Sequence, residues 1–518
     1  MNKTKPPANS WQAGMAFHSR GEYAEAEVEY WKALIEQSDD EELLSNLGAA
    51  LSSQGKHNPA VTCYRRAIAI NPDNWQTRSN LGNVFKRMGK LDRAVACYQQ
   101  AIKVDDTVAL IHFSMGEALH KKGKLSRAAD SLRKALELQP DYIEAFIALS
   151  ANQELVGESK QARKTLLDGI SLMPYYTEPI RGKERASALM FFGLADCRFR
   201  LSNKNSVKLS GGHFLTRELL RRKIFVKHHY HITEDNLLEH ASSLPPHELI
   251  VNTIACPDRE RTSLETLSRF LKDNTHAPLI NNPDKVLLTT RNNNYQRLHD
   301  LEGITFPKTL RLSRRDVTTE SIVKTISDNG LSFPLIIRRV GTQSAVSTQK
   351  LKGAEDIADY LDSTEGDEFY IIQFIDCRFK QKYYRKLRLF CIDAKLYPVV
   401  CHIDKMWNVH GGNRKTLMKQ NEWMQNEEKQ FLEDFTSYIG KPNRDRIESL
   451  HSLVDLDFYG IDFTIMDDGG ILIYELNAAM RHSFVHTKAL PYLTPYLRKI
   501  SNAFEAMAFK IIEEKAAP

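Results

Sequence analysis

The chain has little of what marks secreted, membrane or nucleic-acid-binding proteins. Its seven cysteines are Cys63, Cys97, Cys197, Cys256, Cys377, Cys391 and Cys401, an odd and scattered set with no Cys-x-x-Cys spacing. This argues against a disulfide framework or a zinc site, and fits reduced thiols in a cytoplasm. No apolar run approaches the ~18 residues of a membrane span. The start of the chain, Met1–Pro7, is polar and lacks the apolar core of a signal peptide. A cytoplasmic location is therefore expected. Charge of one sign is scarce too. Lys and Arg total 71 against 65 Asp and Glu, a net +6 over 518 residues. That is no basic footprint for nucleic acid. The length leaves room for two or three domains, each with its own core.

What the chain does have, over its first third, is a repeat. Gly14, Gly48, Gly82 and Gly116 recur at a fixed step, as do Gly21, Gly55, Gly89, Gly123 and Gly157. Ala26, Ala60, Ala94, Ala128 and Ala162 follow the same step, each trailed by Tyr30, Tyr64, Tyr98, Leu132 or Leu166. The step is 34 residues, the period of paired tetratricopeptide helices. Small residues let helices approach, and the aromatic and Leu positions fill the space between them. In the fifth unit Ser150 replaces the Gly and Gly169 the Ala, which reads as a degenerate cap. Such an array is a binding surface without chemistry of its own. Asn46 and Asn80 occupy equivalent positions one repeat apart, and Asn83 lies a helical turn from Asn80. An amide both donates and accepts, so these three are candidates for holding an extended peptide backbone. The same positions also suit a solvated polar face.

Near the other end, Gly460-Ile461-Asp462-Phe463-Thr464 and Ile473-Tyr474-Glu475-Leu476-Asn477 read as two strands. Asp467-Asp468-Gly469-Gly470 between them is a turn. A hairpin brings Asp462 near Glu475 and Asn477, and the last two share one strand face. Two carboxylates and an amide oxygen form a hard donor set of the kind Mg²⁺ prefers, especially beside phosphates. They also suit a plain polar strand edge.

This pattern, a strand bearing Asp, a turn, then Glu-x-Asn, resembles the metal-binding end of ATP-grasp enzymes. It is most similar to their glutathione-synthetase-like branch, which includes the ribosomal-protein glutamate ligase. The resemblance extends over roughly the last 330 residues. Gly303-Ile304-Thr305-Phe306-Pro307 resembles the lead-in to the nucleotide lobe. Phe333-Pro334-Leu335-Ile336-Ile337-Arg338 resembles the strand that ends in a phosphate-binding lysine, here Arg338. Arginine can grip phosphate bidentately. Arg291 is the candidate for a second phosphate-binding residue. The loop Val340–Ala345, over the phosphates in relatives, has a single glycine here. Glu368–Ile375 resembles the hinge strand, with Gln373 and Ile375 as the adenine contacts. Arg385-Lys386-Leu387-Arg388 resembles the strand whose Lys386 and Arg388 would neutralise phosphate charge, with His402 on the next strand. Trp407-Asn408-Val409-His410-Gly411-Gly412 and Asn477-Ala478-Ala479-Met480 resemble segments of a family joining tetratricopeptide repeats to an ATP-grasp domain.

The expected architecture is multidomain: an all-α tetratricopeptide solenoid followed by an α/β (α+β) ATP-grasp fold. The expected parts are five repeats over 7–174, a linker over 175–189, a preceding α/β lobe over 190–285, a nucleotide lobe over 286–375 and a metal-bearing lobe over 376–518. The resemblance implies an ATP- and Mg²⁺-dependent carboxylate ligase, ADP-forming, that makes an amide or ester through an acyl phosphate. Asp462, Glu475 and Asn477 would hold the metal, and Arg338 and Arg388 would act on the transferred phosphoryl group. The repeats would recruit a peptide or protein, for instance a precursor peptide in natural-product biosynthesis. A small-molecule carboxylate or amine is a second class of substrate, and a homodimer is an open alternative. The rival reading is a nucleotide-binding scaffold protein with a non-catalytic ATP-grasp domain, motivated by Arg338 and the glycine-poor loop. A repeat-linked transferase is disfavoured, because no Gly-x-x-x-x-Gly-Lys-Ser/Thr loop occurs.

Overall fold

The computed structural model describes residues 9–172, 175–178, 184–194, 198–201, 207–210, 218–221, 224–233, 237, 243–274, 277–315, 317–342, 347–409, 412, 414, 416–478, 480 and 482–516. Pro174, Pro179, Gly182, Cys197, His410, Gly411, Ala479 and residues 343–346 of the glycine-poor loop lie outside them. The chain divides into two compact units, residues 1–173 with 198–210, and residues 174–197 with 211–518.

Unit 1 is five helix pairs. They are α1 (Asn9–Ser19) with α2 (Tyr23–Glu36), α3 (Glu41–Ser53) with α4 (His57–Ile70), and α5 (Trp75–Arg87) with α6 (Leu91–Val104). Then come α7 (Ala109–Lys121) with α8 (Leu125–Leu138), and α9 (Ile143–Val156) with α10 (Ser159–Leu172). The turn inside each pair carries Gly21, Gly55, Gly89, Gly123 or Gly157, all with φ between 74° and 88°. Only glycine adopts that left-handed conformation cheaply, so one recurring residue sets five turns. The second recurring glycine serves contact instead. A Cβ on Gly48 would meet the Tyr64 ring at 3.0 Å, and one on Gly82 the Tyr98 ring at 2.7 Å. Tyr30, Tyr64 and Tyr98 are accordingly buried in the array's core. In the fifth pair Ser150 Oγ donates to the Ala162 carbonyl at 2.8 Å, bridging the helices where a glycine would close the gap. A hairpin of β3 (Arg198–Leu201) and β4 (Val207–Ser210) also belongs to this unit, with β3 beside α9.

Unit 2 holds three sheets. The first has the order β1 (Tyr175–Glu178), β5 (Phe225–His231), β2 (Ala186–Phe192), β6 (Leu249–Asn252) and β7 (Leu279–Ile280). It is parallel except for β1. The expected linker over 175–189 is therefore corrected. Its β-prone Tyr175-Tyr176-Thr177 forms an edge strand, and its end opens the buried strand β2, while 179–183 lie outside the described residues.

The second sheet is antiparallel, ordered β11 (Thr348–Leu351), β10 (Leu335–Arg339), β12 (Glu368–Gln373), β9 (Thr309–Ser313). Helices Thr319–Asp328 and Glu355–Ser363 cover one face through Ile322, Ile326 and Ile357. The third runs β14 (Lys395–Asp404), β13 (Tyr384–Ile392), β15 (Phe458–Ile465), β16 (Ile471–Asn477), β8 (Ile304–Thr305). Here β8, expected with the lobe over 286–375, instead joins β16 in parallel. Two residues carry too little pattern to reveal which sheet they complete.

Candidate active site

The third sheet aligns the charged residues by register. Arg388 on β13 lies opposite Asp462 on β15, and Asp462 lies opposite Glu475 on β16. Asn477 pairs with Gly460. A bulge after Asp462 inserts Tyr474, so Glu475 faces Asp462 while Ile473 faces Phe463. The helix Arg291–Leu298 then delivers a cation to the same spot. Its N-cap Thr290 accepts from the Asn293 N–H at 3.3 Å, and Arg291 Nη1 donates to the Tyr474 carbonyl at 3.0 Å.

Each carboxylate is covered by cations. Arg388 grips Asp462 through two parallel bonds of 2.6 and 2.8 Å. Lys386 Nζ adds a third contact at 3.1 Å. Arg291 Nη2 stands 2.8 Å from Glu475 Oε1, and Asn477 Nδ2 donates to that same oxygen at 3.3 Å. Burial alone would raise both carboxyl pKa values. For Asp462 the opposing field of Arg388 and Lys386 wins, and the pKa falls well below the usual range. For Glu475, Arg291 and Arg338 win in the same way. Asp462 is 1% exposed and Glu475 33%, so Glu475 is the more accessible acid, with Arg291 and Asn477 on one of its oxygens.

Arg338 is different. It lies at the end of β10 and donates to the Thr342 carbonyl and hydroxyl, and among the described residues no carboxylate lies on it. Burial, reinforced by Arg291, pushes its pKa down to about 10.

These residues line one cavity of about 560 Å³. All nine nucleotide, metal and catalytic candidates are there: Arg291, Arg338, Gln373, Ile375, Lys386, Arg388, Asp462, Glu475 and Asn477. One part of the wall is charged. The rest includes Ile336, Ile372, Phe374, Leu472 and Met480. At the hinge, the Gln373 backbone N–H donates to the Lys308 carbonyl at 2.8 Å, which takes up that donor, and Phe374 and Ile375 follow it along the cavity wall.

Several residues were not legible as site residues. Trp407, Asn408 and Val409 line the cavity, and Trp407 meets Phe374 edge-on at 5.7 Å. Their segment stood out in the sequence, but nothing in it assigned them a side. A smaller cavity of about 40 Å³ shares Arg291, Arg338, Glu475 and Asn477 with the first, and adds Cys256, Asp258, Arg339 and Tyr370. Asp258 takes the Tyr370 hydroxyl at 2.8 Å and Arg311 at 3.0 Å. No spacing rule links residues so far apart. His402 is buried with Nδ1 facing Arg414 Nη1 at 3.3 Å. Arginine only donates, so Nδ1 accepts and Nε2 carries the proton. His402 is therefore not a base at Nε2, and burial and Arg414 keep it neutral.

Two carboxylates and an amide oxygen suit a hard divalent cation. Among the described residues no three His, Cys, Asp or Glu side chains converge as a metal site. A cation here would need ligand oxygens as well, as Mg²⁺ commonly does with phosphates.

In unit 1, Asn46 and Asn80 are half-buried on α3 and α5, the first helices of their pairs. Asn83 has a partner inside the array. Its Oδ1 accepts from Tyr98 Oη at 2.8 Å, a contact between the two helices of its own repeat.

The sequence-family profile described as TPR repeat matches residues 48–89 and 82–123, and that described as tetratricopeptide repeat matches 109–142. Among solved structures the chain is similar to MamA from Desulfovibrio magneticus RS-1, at 19% identity and a TM-score of 0.30, over 32% of this chain and 92% of that one. It is similar to MamA MSR-1 at 25% identity and a TM-score of 0.29, over 32% and 94%. YrrB, described as a TPR protein with an unusual peptide-binding site, is 19% identical with a TM-score of 0.29, over 33% and 87%. No curated protein matches the chain.

Proposed function

We propose that unit 2 is an ATP-dependent carboxylate ligase of the ATP-grasp type, and that the repeats present its peptide or protein substrate. The observation that carries this reading is the cavity. Nine residues singled out by sequence pattern, on a helix, five strands and the segment after β12, line one space large enough for a nucleotide.

In this reading a substrate carboxylate oxygen bonds to the γ-phosphorus of ATP, the β–γ bridge bond breaks, and ADP leaves. An amine then attacks the acyl carbon, phosphate departs, and the ammonium proton passes to solvent. Where an alcohol attacks instead, the product is an ester. The chain supplies no nucleophile. Arg338, Arg291, Lys386 and Arg388 supply fixed positive charge along the path of the phosphoryl group, where preorganised electrostatics contribute most. Phe374 and Ile375 would meet the base. Glu475, Asn477 and Asp462 would hold Mg²⁺, which when bound would supply charge to offset that of the phosphates.

The repeats are suited to delivery because stacked helix pairs form an extended concave surface. Asn46 and Asn80 would pair with backbone amides of an extended peptide.

The test is nucleotide-dependent trapping. With ATP, Mg²⁺ and hydroxylamine as the amine, a ligase converts its carboxylate substrate to a hydroxamate while releasing ADP. A protein that binds ATP yet gives neither product, across peptide and small carboxylates, would be the non-catalytic scaffold instead. Arg338 in place of lysine is the observation favouring that rival.

A further inference from the structure

The cavity wall holds an imbalance. Four cations, Arg291, Arg338, Lys386 and Arg388, face two carboxylates, Asp462 and Glu475. Both carboxylates already have partners. Asp462 has Arg388 on both oxygens and Lys386 on one, and is 1% exposed. Glu475 has Arg291 and Asn477 on the same Oε1. A divalent cation arriving alone meets a net positive wall and oxygens whose charge is spent on side chains. It would have to displace a bidentate guanidinium in partly buried surroundings, where unlike charges attract far more strongly than in water.

A polyphosphate changes the balance. It brings several negative charges to Arg338, on which no carboxylate lies among the described residues. It also offers Lys386, Arg388 and Arg291 alternative anions, so that they can turn from Asp462 and Glu475. Only then do those carboxylates face the cavity with unspent charge.

We propose, resting on the nucleotide-site reading above, that Lys386, Arg388 and Arg291 are exchangeable counter-ions that close the metal ligands until nucleotide arrives. Nucleotide therefore binds without metal, and metal does not bind without nucleotide. Of the two cations on Asp462, Lys386 is the lighter cap, since it makes one contact where Arg388 makes two. It is the residue whose removal should loosen the closure without leaving Asp462 unpaired.

Mn²⁺ titration of the full chain, followed by the loss of the free-ion electron paramagnetic resonance signal, tests this directly. Without nucleotide, binding should be absent or weaker than millimolar. With a non-hydrolysable ATP analogue, it should tighten at least tenfold. By linkage, Mn²⁺ should tighten the analogue by the same factor. The analogue alone should still bind when measured by calorimetry in EDTA. Lys386→Met should bring Mn²⁺ binding without nucleotide at least threefold closer to the nucleotide-bound value, with the near-ultraviolet circular dichroism unchanged. Lys386→Arg, which keeps the charge, should behave as wild type. Tight Mn²⁺ binding by wild type alone, or a Lys386→Met variant as closed as wild type, would overturn the counter-ion role while leaving the nucleotide site intact. Absence of analogue binding under every condition would overturn the nucleotide site, and the binding order with it.

Discussion

The two units bring residues together by different means. In the repeat array a packing glycine finds its partner on the next helix of the same pair, as Gly48 meets Tyr64 and Gly82 meets Tyr98. Contacts are local and the same solution recurs. In unit 2 the site is assembled across long stretches of chain. Arg388 reaches Asp462 over 74 residues, and Arg291 reaches Tyr474 over 183. The difference teaches where damage should spread. A lost contact in the array is a loss of stacking, felt by neighbouring repeats. A lost contact in the site is a loss of charge placement, felt in ligand binding with little change in secondary structure.

The sharpest way to break this contrast is Tyr98→Ala. The ring is buried against Gly82 and its hydroxyl holds Asn83. Truncation should cost the array about 3–5 kcal/mol, the range for large aromatic core residues. Loss of helical signal at 222 nm on heating should come earlier, while nucleotide affinity is unchanged. If both fall together, the units do not act separately.

Next in size is Glu475→Gln. It keeps the shape and removes the exposed carboxylate, so ATP-dependent turnover should drop about 10²–10³-fold, as for loss of one preorganised electrostatic contact. The melting of the array should not move. Turnover close to wild type would mean that Glu475 is no metal ligand.

Arg338→Ala removes a cation on which no carboxylate lies among the described residues. If it meets phosphate, the loss is about 1.5–3 kcal/mol, the scale of a hydrogen bond to a charged group. Calorimetric nucleotide affinity should then fall by roughly 10- to 150-fold. An unchanged affinity would remove Arg338 from the site.

Acid should act on unit 2 through its paired carboxylates. Asp462 and Glu475 have folded pKa values below their unfolded ones. Their stabilisation is therefore complete above the unfolded values of about 4, and is lost as pH falls through the lower folded values. Urea midpoints measured at steps from pH 6 down to pH 3 should fall at the acid end. In Arg388→Met the fall should be shallower, because the cation that lowers Asp462 is gone. Equal slopes in the two proteins would show that this pair does not set the acid response.

The smallest expected effect is on the array's surface. Asn46→Ala with Asn80→Ala should weaken a bound peptide by about 0.5–1.5 kcal/mol for each hydrogen bond lost. It should appear as a raised KM for the acceptor with turnover at saturation near normal. Asn83→Ala should in addition lower the array's melting temperature, because Asn83 holds Tyr98, and a KM equal to wild type would remove Asn83 from the peptide surface.

Much of the fold is legible in the residues themselves. Five helix pairs follow from a period that repeats in every pair, because each repeat buries its small and aromatic residues against its own partner helix. The hairpin holding Asp462, Glu475 and Asn477 is legible for a similar reason: alternation and a turn set which side chains share a face. The pairing of the acids is less so. Nothing in the spacing of Lys386 and Arg388 indicates that their partner is Asp462. Nor does the linker composition over 175–189 disclose strands β1 and β2, since strand edges are marked by their neighbours rather than by their own residues.

By itself, the sequence determined what depends on neighbours along the chain: the repeat, its turns, the strand faces, and the types of residue available for chemistry. Tertiary structure alone decided which charges meet. Arg388 lies on Asp462 because β13 and β15 pair in one register, and Arg291 reaches Glu475 because its helix packs beside β16. It also decided that among the described residues Arg338 has no carboxylate on it, and that Asn83 meets Tyr98. Electrostatic interactions act through space and have no period along the chain. Their partners are fixed only once distant segments are brought within a few ångströms and shielded from water.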